Sequence, residues 1–142
     1  MEISIGCDHA GFELKELIKN KLSELGYETT DHGAHSADSV DYPEFAHAVA
    51  ADISSGKIEL GVLICGSGNG ISMTANKHAN VRAALCWTPE IAELARWHND
   101  ANVLALPARF ITQEKGIEIL EKFIKTNFEG GRHERRVNKI NY

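Results

Sequence analysis

The sequence predicts an α/β fold in which a five-stranded parallel sheet carries helices on both faces. Three observations support this class. Short apolar runs alternate with longer amphipathic stretches along the whole chain. The clearest run, Leu60 to Cys65, is apolar throughout, as expected for a strand covered on both faces. A glycine-rich turn and a helical stretch follow it, and such repeated strand–helix units form right-handed βαβ crossovers.

Each element has its own sequence signal. The first helix, residues 11–25, has an apolar stripe at helical spacing, and Gly26 follows where a helix stop is expected. Pro43 suits the first turn of a second helix, and Thr112 is a suitable N-cap for the last one. The predicted strands cover residues 2–7, 27–31, 60–65, 81–86 and 102–106. The predicted helices cover residues 11–25, 43 to about 54, a stretch from about 71, 88–97, and 112 to about 127.

Length and composition restrict the class of protein. The 142 residues suit one domain, spanning residues 1–142, and the net charge of −5 argues against a nucleic-acid partner. We expect no membrane association and no secretory signal, because the sequence has neither a long apolar segment nor a basic and then apolar start. Its three cysteines are widely spaced without a CxxC pair, which favours free thiols and a cytoplasmic location.

Ligands of parallel α/β sheets bind beyond the carboxyl ends of the strands. In this chain that rule selects Asp8-His9, the segment 65–70, Trp87-Thr88 and the segment 107–109. The segment 65–70 reads Cys-Gly-Ser-Gly-Asn-Gly, and its alternate glycines let backbone N–H groups surround an anion at a helix start. It is neither a Walker A loop nor a GxGxxG motif, and a generic glycine-rich turn is the alternative interpretation.

Cys65 stands where the strand ends and this group of amides begins. The helix field is expected to stabilise a thiolate there and to lower the pKa of the thiol. A thiolate beside oxyanion-stabilising amides suits covalent attack on a carbonyl, and it equally suits proton removal from the carbon next to a carbonyl. The alternative is an inert buried cysteine.

Three other polar groups have both a functional and a structural interpretation. Asp8 and His9 can bind sugar hydroxyls and phosphate, or they can form a turn that leads into the first helix. His98 can act as an acid or base, or it can stabilise a helix C-terminus. Arg132 and Arg136 are four apart and can grip a phosphate, or they can belong to a solvated basic tail. His98 and Asp100 do not share a helix face, so no metal site is expected there.

Taken together, these motifs resemble the type B ribose-5-phosphate isomerases, in the family that also holds the galactose-6-phosphate isomerase subunits. The resemblance covers essentially the whole chain. It rests on the motifs Gly6-Cys7-Asp8-His9-Ala10-Gly11-Phe12, Asp41-Tyr42-Pro43, Ile64-Cys65-Gly66-Ser67-Gly68-Asn69-Gly70-Ile71-Ser72, Ala75-Asn76-Lys77, Arg82-Ala83, His98-Asn99-Asp100-Ala101-Asn102-Val103-Leu104 and Glu129-Gly130-Gly131-Arg132-His133, followed by Arg136-Val137.

The resemblance implies a Rossmann- or flavodoxin-like three-layer sandwich and an aldose–ketose isomerase of the pentose phosphate pathway. It implies interconversion of D-ribose 5-phosphate and D-ribulose 5-phosphate without metal or organic cofactor. It also implies a homodimer, or a tetramer, with active sites shared between subunits and a tail, residues 129–142, that contributes to them. The alternatives are an isomerase of allose 6-phosphate or galactose 6-phosphate, and a non-catalytic phosphosugar-binding protein.

The resemblance also implies a role for individual residues. Cys65 is the base, Ser67 handles the proton on the sugar oxygens, and His98 opens the furanose ring. The substrate-binding set comprises Asp8 for the sugar, the amides of Gly66, Gly68, Asn69 and Gly70 for the enediolate, His9, Arg109, Arg132 and Arg136 for the phosphate, and Tyr42 and Asn99 as lining residues.

Overall fold

A computed structural model describes residues 1–141 and contains five strands: β1 (Glu2–Cys7), β2 (Glu28–Asp31), β3 (Leu60–Cys65), β4 (Ala83–Leu85) and β5 (Val103–Pro107). They form one all-parallel sheet in the order β2-β1-β3-β5-β4. The central strand, β3, pairs with β1 on one side and with β5 on the other. The predicted fold class is therefore confirmed.

Residues 1–141 contain the helices α1 (Phe12–Glu24), α2 (Tyr42–Ser54), α3 (Asn69–Ala75), α4 (Pro89–Asn99), α5 (Gln113–Lys125) and α6 (Arg132–Val137), and a 3₁₀ turn (His9–Gly11) precedes α1. The first five cover the two faces of the sheet, and α6 packs against α4. α1, α4 and α5 pack on one face around Ile3, Ile5 and Phe123, whereas α2 and α3 pack on the other around Val49 and Leu63. Among the described residues, no helix combines the length and the apolar character that crossing a bilayer requires.

Several element boundaries differ from the sequence prediction by one or two residues. β4 is shorter than the predicted 81–86 because the Arg82 backbone N–H donates to the Asn102 side-chain oxygen at 2.7 Å instead of to a strand carbonyl. α3 begins two residues earlier than expected, directly after Gly68, whose φ of 78° ends the turn. β5 runs on to Pro107, which pairs with Cys65 as the last residue of the strand.

A buried lysine ties α1 to the end of β2. The Lys15 side chain is fully buried, and its Nζ donates to Asp31 Oδ2 at 2.8 Å and to the Ala34 carbonyl at 2.6 Å. Lys19 donates to the same carboxylate at 2.8 Å. Burial opposes ionisation of Asp31, but the hydrogen bonds from the two lysines prevail and lower its pKa to about 2.

This ion pair makes stability depend on pH in the acid range. Because the folded-state pKa of Asp31 lies below its ordinary value of 3.8, the carboxylate contributes stability above that value and loses it as the pH falls toward 2. We expect this group to account for roughly 1–2 kcal/mol of the unfolding free energy, allowing for solvent screening. Urea unfolding at a series of pH values measures it. Asp31→Asn should flatten the dependence between about pH 4 and 2, and an unchanged slope in that variant would contradict the assignment.

Candidate functional site

The carboxyl ends of β1, β3 and β5 meet at one edge of the sheet. The Asp8 backbone N–H donates to the Ile64 carbonyl at 3.1 Å, and the Ala108 N–H donates to the Cys65 carbonyl at 2.9 Å. The Arg109 N–H donates to the Gly66 carbonyl at 3.0 Å. These bonds hold three of the predicted segments, Asp8-His9, the glycine-rich loop 66–70 and the segment 107–109, against one another.

Cys65 is the last residue of the central strand and lies beneath the glycine-rich loop. Its side chain is nearly buried, with 5% exposed, and the Gly68 N–H donates to Sγ at 3.2 Å. Burial raises the pKa of the thiol above 9.0, and the nearby Asp8 carboxylate adds to that effect. The backbone N–H groups of Ile71 and Gly68 oppose the shift but do not cancel it.

The expectation of a lowered thiol pKa is therefore wrong for this chain. The amides and the helix start are at the positions that the glycine spacing predicts, but desolvation outweighs their field because the sulfur is enclosed. When a thiol of raised pKa is deprotonated, the resulting thiolate is a stronger base toward a carbon acid than an ordinary thiolate.

The glycines of the loop carry no Cβ atom, and neighbouring side chains occupy the space that this leaves. A Cβ on Gly66 would lie 3.2 Å from an Arg109 guanidinium nitrogen, so Arg109 lies across that residue. A Cβ on Gly70 would collide with the Tyr42 ring, so the ring rests on the loop there. Ser67 is half-buried, and its Oγ accepts from the Asn69 N–H at 3.2 Å. A hydroxyl, a guanidinium and a phenol therefore lie along the loop that follows Cys65.

Gly70→Ala tests the contact between the loop and Tyr42. The added methyl would meet the phenol carbons at van der Waals overlap, and we expect a loss of about 1–3 kcal/mol of stability together with lower kcat/KM. Thermal unfolding and steady-state kinetics measure both. The double variant with Tyr42→Ala should recover most of the lost stability, because the collision partner is gone. A double variant as unstable as the sum of the two singles would contradict this contact.

Asp8 and His9 combine a structural and a binding capacity. Asp8 Oδ1 accepts from the backbone N–H groups of Ala10 and Gly11 at 3.0 and 3.2 Å, so the turn considered in the sequence analysis is present. His9 Nδ1 accepts from the Val40 N–H at 3.2 Å, which ties the loop 32–41 to this edge. In the neutral ring the proton then resides on Nε2, where it can be donated to an anion.

His98 and Asn99 lie at the opposite edge of the sheet. They end α4, and β5 begins four residues later, where Val103 pairs with Gly61 near the start of β3. Cys65 lies at the other end of β3, and four residues of strand span about 13 Å. Within one chain, His98 and Asn99 are therefore separated from Cys65 by the length of the sheet.

The tail helix α6 lies beside His98. The Glu129 N–H donates to the Trp97 carbonyl at 3.0 Å, and the His133 ring stacks on His98 with centroids 4.3 Å apart. Arg132 and Arg136 are exposed on the same helix, one turn apart. The predicted site residues thus form two groups: one around Cys65 and one that joins His98 and Asn99 to the arginines of the tail.

Two residues at this second group were missed from the sequence. His133 is buried under His98, and the Glu129 carboxylate lies 3.4 Å from His133 Nε2 and 3.9 Å from His98 Nε2. The ligand atoms of the three side chains lie within 4.8 Å of one another, so these residues have the chemistry to hold a metal ion. The four-residue spacing of Glu129 and His133 was visible, but nothing local showed that the tail returns to α4.

The chain is similar to known isomerases over its full length. A family model described as "Ribose/Galactose Isomerase" matches residues 3–140. Ribose-5-phosphate isomerase B of Escherichia coli strain K12 is 45% identical over 139 residues, covering 98% of this chain and 93% of that protein.

Solved structures extend the similarity to the fold. A ribose 5-phosphate isomerase from Thermotoga maritima superposes with a TM-score of 0.95 at 50% identity, covering 99% of this chain and 97% of that one. Ribose-5-phosphate isomerase B from Mycoplasma genitalium, solved with bound ribulose-5-phosphate, gives 0.94 at 44% identity, with coverage of 98% and 93%. On these matches, the chain belongs to the ribose/galactose isomerase family.

Proposed function

We propose that this protein interconverts D-ribose 5-phosphate and D-ribulose 5-phosphate. Its relatives of 44–50% identity are ribose-5-phosphate isomerases, and one of them was solved with ribulose-5-phosphate bound. The observation that carries the proposal is the position of Cys65 at the end of the central strand, where its sulfur accepts a hydrogen bond from the Gly68 N–H. An isomerase needs a base, a site for the enediolate oxygen and a grip on the phosphate, and these residues offer each of them.

The reaction begins with the cyclic sugar and ends with a shifted carbonyl. His98 moves the proton that opens the furanose ring. The Cys65 thiolate takes the proton from C2 of the open aldose, and the C–H electrons form the enediolate double bond while the C1 carbonyl becomes an oxyanion. The amides of Gly66 to Gly70 stabilise that oxygen, and Ser67 transfers the proton between the two oxygens. Return of the proton from Cys65 to C1 gives the ketose.

The remaining residues hold the substrate. Asp8 accepts hydrogen bonds from sugar hydroxyls through the carboxylate oxygen that its own turn does not use. His9 Nε2–H, Arg109, Arg132 and Arg136 bind the phosphate, and Tyr42 and Asn99 line the pocket. The phosphate does not react, so its binding energy serves to hold C1 and C2 next to the Cys65 sulfur.

The complete site needs two copies of the chain. His98, Asn99, Arg132 and Arg136 lie at the amino edge of the sheet, and Cys65 lies at the carboxyl edge. A partner that presents its amino edge to this carboxyl edge would unite both groups. We therefore propose a homodimer with two shared sites, in which the tail from residue 129 serves the partner.

An exposed apolar stripe on α4 fits such a pairing. Ile91, Leu94 and Trp97 lie on α4, and Trp87 lies just before it. All four are 40–47% exposed and run from the carboxyl edge to the amino edge. Two such stripes packed antiparallel about a two-fold axis would bury apolar surface and bring His98 of each copy toward the partner's carboxyl edge.

A direct assay tests the activity and separates it from the alternatives. Conversion of ribose 5-phosphate to ribulose 5-phosphate should proceed in the presence of a chelator. The family description also includes galactose isomerases, so kcat/KM on ribose, allose and galactose phosphates should be compared, and the ribose ester should be preferred. Preference for a six-carbon ester would overturn the substrate, and binding without turnover would favour a phosphosugar-binding protein.

The three free cysteines fit a reducing cytoplasm.

A further inference from the structure

The cluster formed by His98, Glu129 and His133 has the composition of a transition-metal site. It joins the end of α4 to the start of α6, and it offers two imidazoles and one carboxylate. Their ligand atoms lie within 4.8 Å of one another, and both Nε2 atoms face the same Glu129 oxygen, at 3.9 and 3.4 Å. Neutral imidazole with carboxylate is a ligand set that divalent zinc readily accepts.

His133 gives an independent reason to expect an occupant. Its side chain is 9% exposed, and its Nε2 is buried without a hydrogen-bond partner among residues 1–141. Glu129 lies at ion-pair distance but does not make a hydrogen bond to it. A buried polar nitrogen without a partner is costly, so an atom that binds there stabilises it.

We propose that His98, Glu129 and His133 bind a divalent transition-metal ion of the zinc type. His133 is held by burial and by its stacking on His98, with the two rings 15° from parallel. His98 and Glu129 are more exposed, with 33% and 48% of their side chains accessible. These two side chains therefore turn toward the fixed His133, and the ion draws the three ligand atoms to bonds of about 2.0–2.2 Å, leaving one position for water.

The bound ion inhibits isomerisation, and this part of the inference rests on the proposed function. Coordination occupies a ring nitrogen of His98, so the imidazole can no longer exchange the proton that opens the furanose ring. The ion is therefore not a cofactor of the reaction. Its binding would make activity sensitive to free transition-metal ions and fully recoverable with a chelator.

The test uses the full-length protein, freed of metal by a chelator that is then removed. Isothermal titration with Zn²⁺ alone should show one tight equivalent per chain. Co²⁺ should give a visible spectrum without the intense near-ultraviolet band of a cysteine ligand. Glu129→Gln should weaken Zn²⁺ binding by about 10-fold or more.

Two matched variants control for other sites. Glu134→Gln removes the same charge from the same helix, and it should bind Zn²⁺ as the wild type does. His47→Gln disrupts a second histidine pair, in which His47 Nδ1 lies 2.7 Å from His78 Nε2, and it should also leave the tight equivalent intact. Loss of the tight equivalent in His47→Gln, or its retention in Glu129→Gln, would overturn the proposed site. A sulfur-to-cobalt band in the wild type would likewise overturn it.

Activity separates this inference from the proposed function. Zn²⁺ should inhibit the wild type and Glu134→Gln at equal concentrations, and Glu129→Gln only at higher ones. Tight binding at the cluster with undiminished turnover would overturn the inhibitory role. A protein that binds Zn²⁺ there but shows no isomerase activity when metal-free would overturn the proposed function and leave the metal site standing.

Discussion

Cys65→Ala should reduce kcat for ribose 5-phosphate by roughly 10³-fold, within the usual range for loss of a positioned base. The sulfur is the basic atom at the end of the central strand in the reaction proposed here, and the Gly68 N–H donates to it. Alanine cannot accept the proton from C2. Because the phosphate is held elsewhere, the variant should still bind the substrate, which calorimetry in the absence of turnover can measure.

Cys86→Ala is the matched control. Cys86 is fully buried, so substrate does not reach its sulfur, and burial raises the pKa of its thiol to about 12. That variant should lose stability through a small cavity but keep kcat. If Cys65→Ala folds, binds substrate and turns over near the wild-type rate, another group is the base and the mechanism is wrong.

A mixture of two inactive variants should regain activity if the sites are shared between subunits. Cys65→Ala and His98→Asn each disable one of the two separated groups. In a heterodimer, one site contains both substitutions and the other contains an intact Cys65 and an intact His98. Random exchange at equal amounts makes half of the dimers heterodimers, so about one quarter of wild-type activity should return.

As a control, each variant alone is taken through the same dissociation and reassociation. Neither should regain activity. Size-exclusion chromatography with light scattering must show a dimer before and after mixing. No recovery from a properly exchanged mixture would contradict the two-copy site. It would mean that Cys65 of one copy and His98 of the other do not serve the same site.

The fold could be predicted because its signals are local. The apolar run from Leu60 to Cys65 becomes the central strand, and Thr112 caps α5 by accepting from the Lys115 N–H at 3.0 Å. The presence of Asp8-His9, the segment 65–70 and the segment 107–109 at one edge of the sheet also followed from strand–helix alternation. The short form of β4 did not, because it depends on the Asn102 side chain, which is distant in sequence.

The electrostatics of the site depend on burial, which the sequence does not show. The amides that stabilise a thiolate could be located from the glycine spacing, but the enclosure that raises the pKa of Cys65 is a property of the packed fold. The stacking of His133 on His98 is likewise a long-range contact. The separation of His98 from Cys65 could have been anticipated, since a helix that precedes a parallel strand ends at the amino edge.

Exchange of the transferred hydrogen with solvent tests the role of Cys65 most directly. In deuterium oxide, nuclear magnetic resonance should show the wild-type protein placing deuterium on C1 of ribulose 5-phosphate and on C2 of ribose 5-phosphate. With Cys65→Ala, the bound sugar should keep its hydrogen at both carbons. Deuterium incorporated by that variant at the wild-type rate would show that the sulfur does not remove the proton.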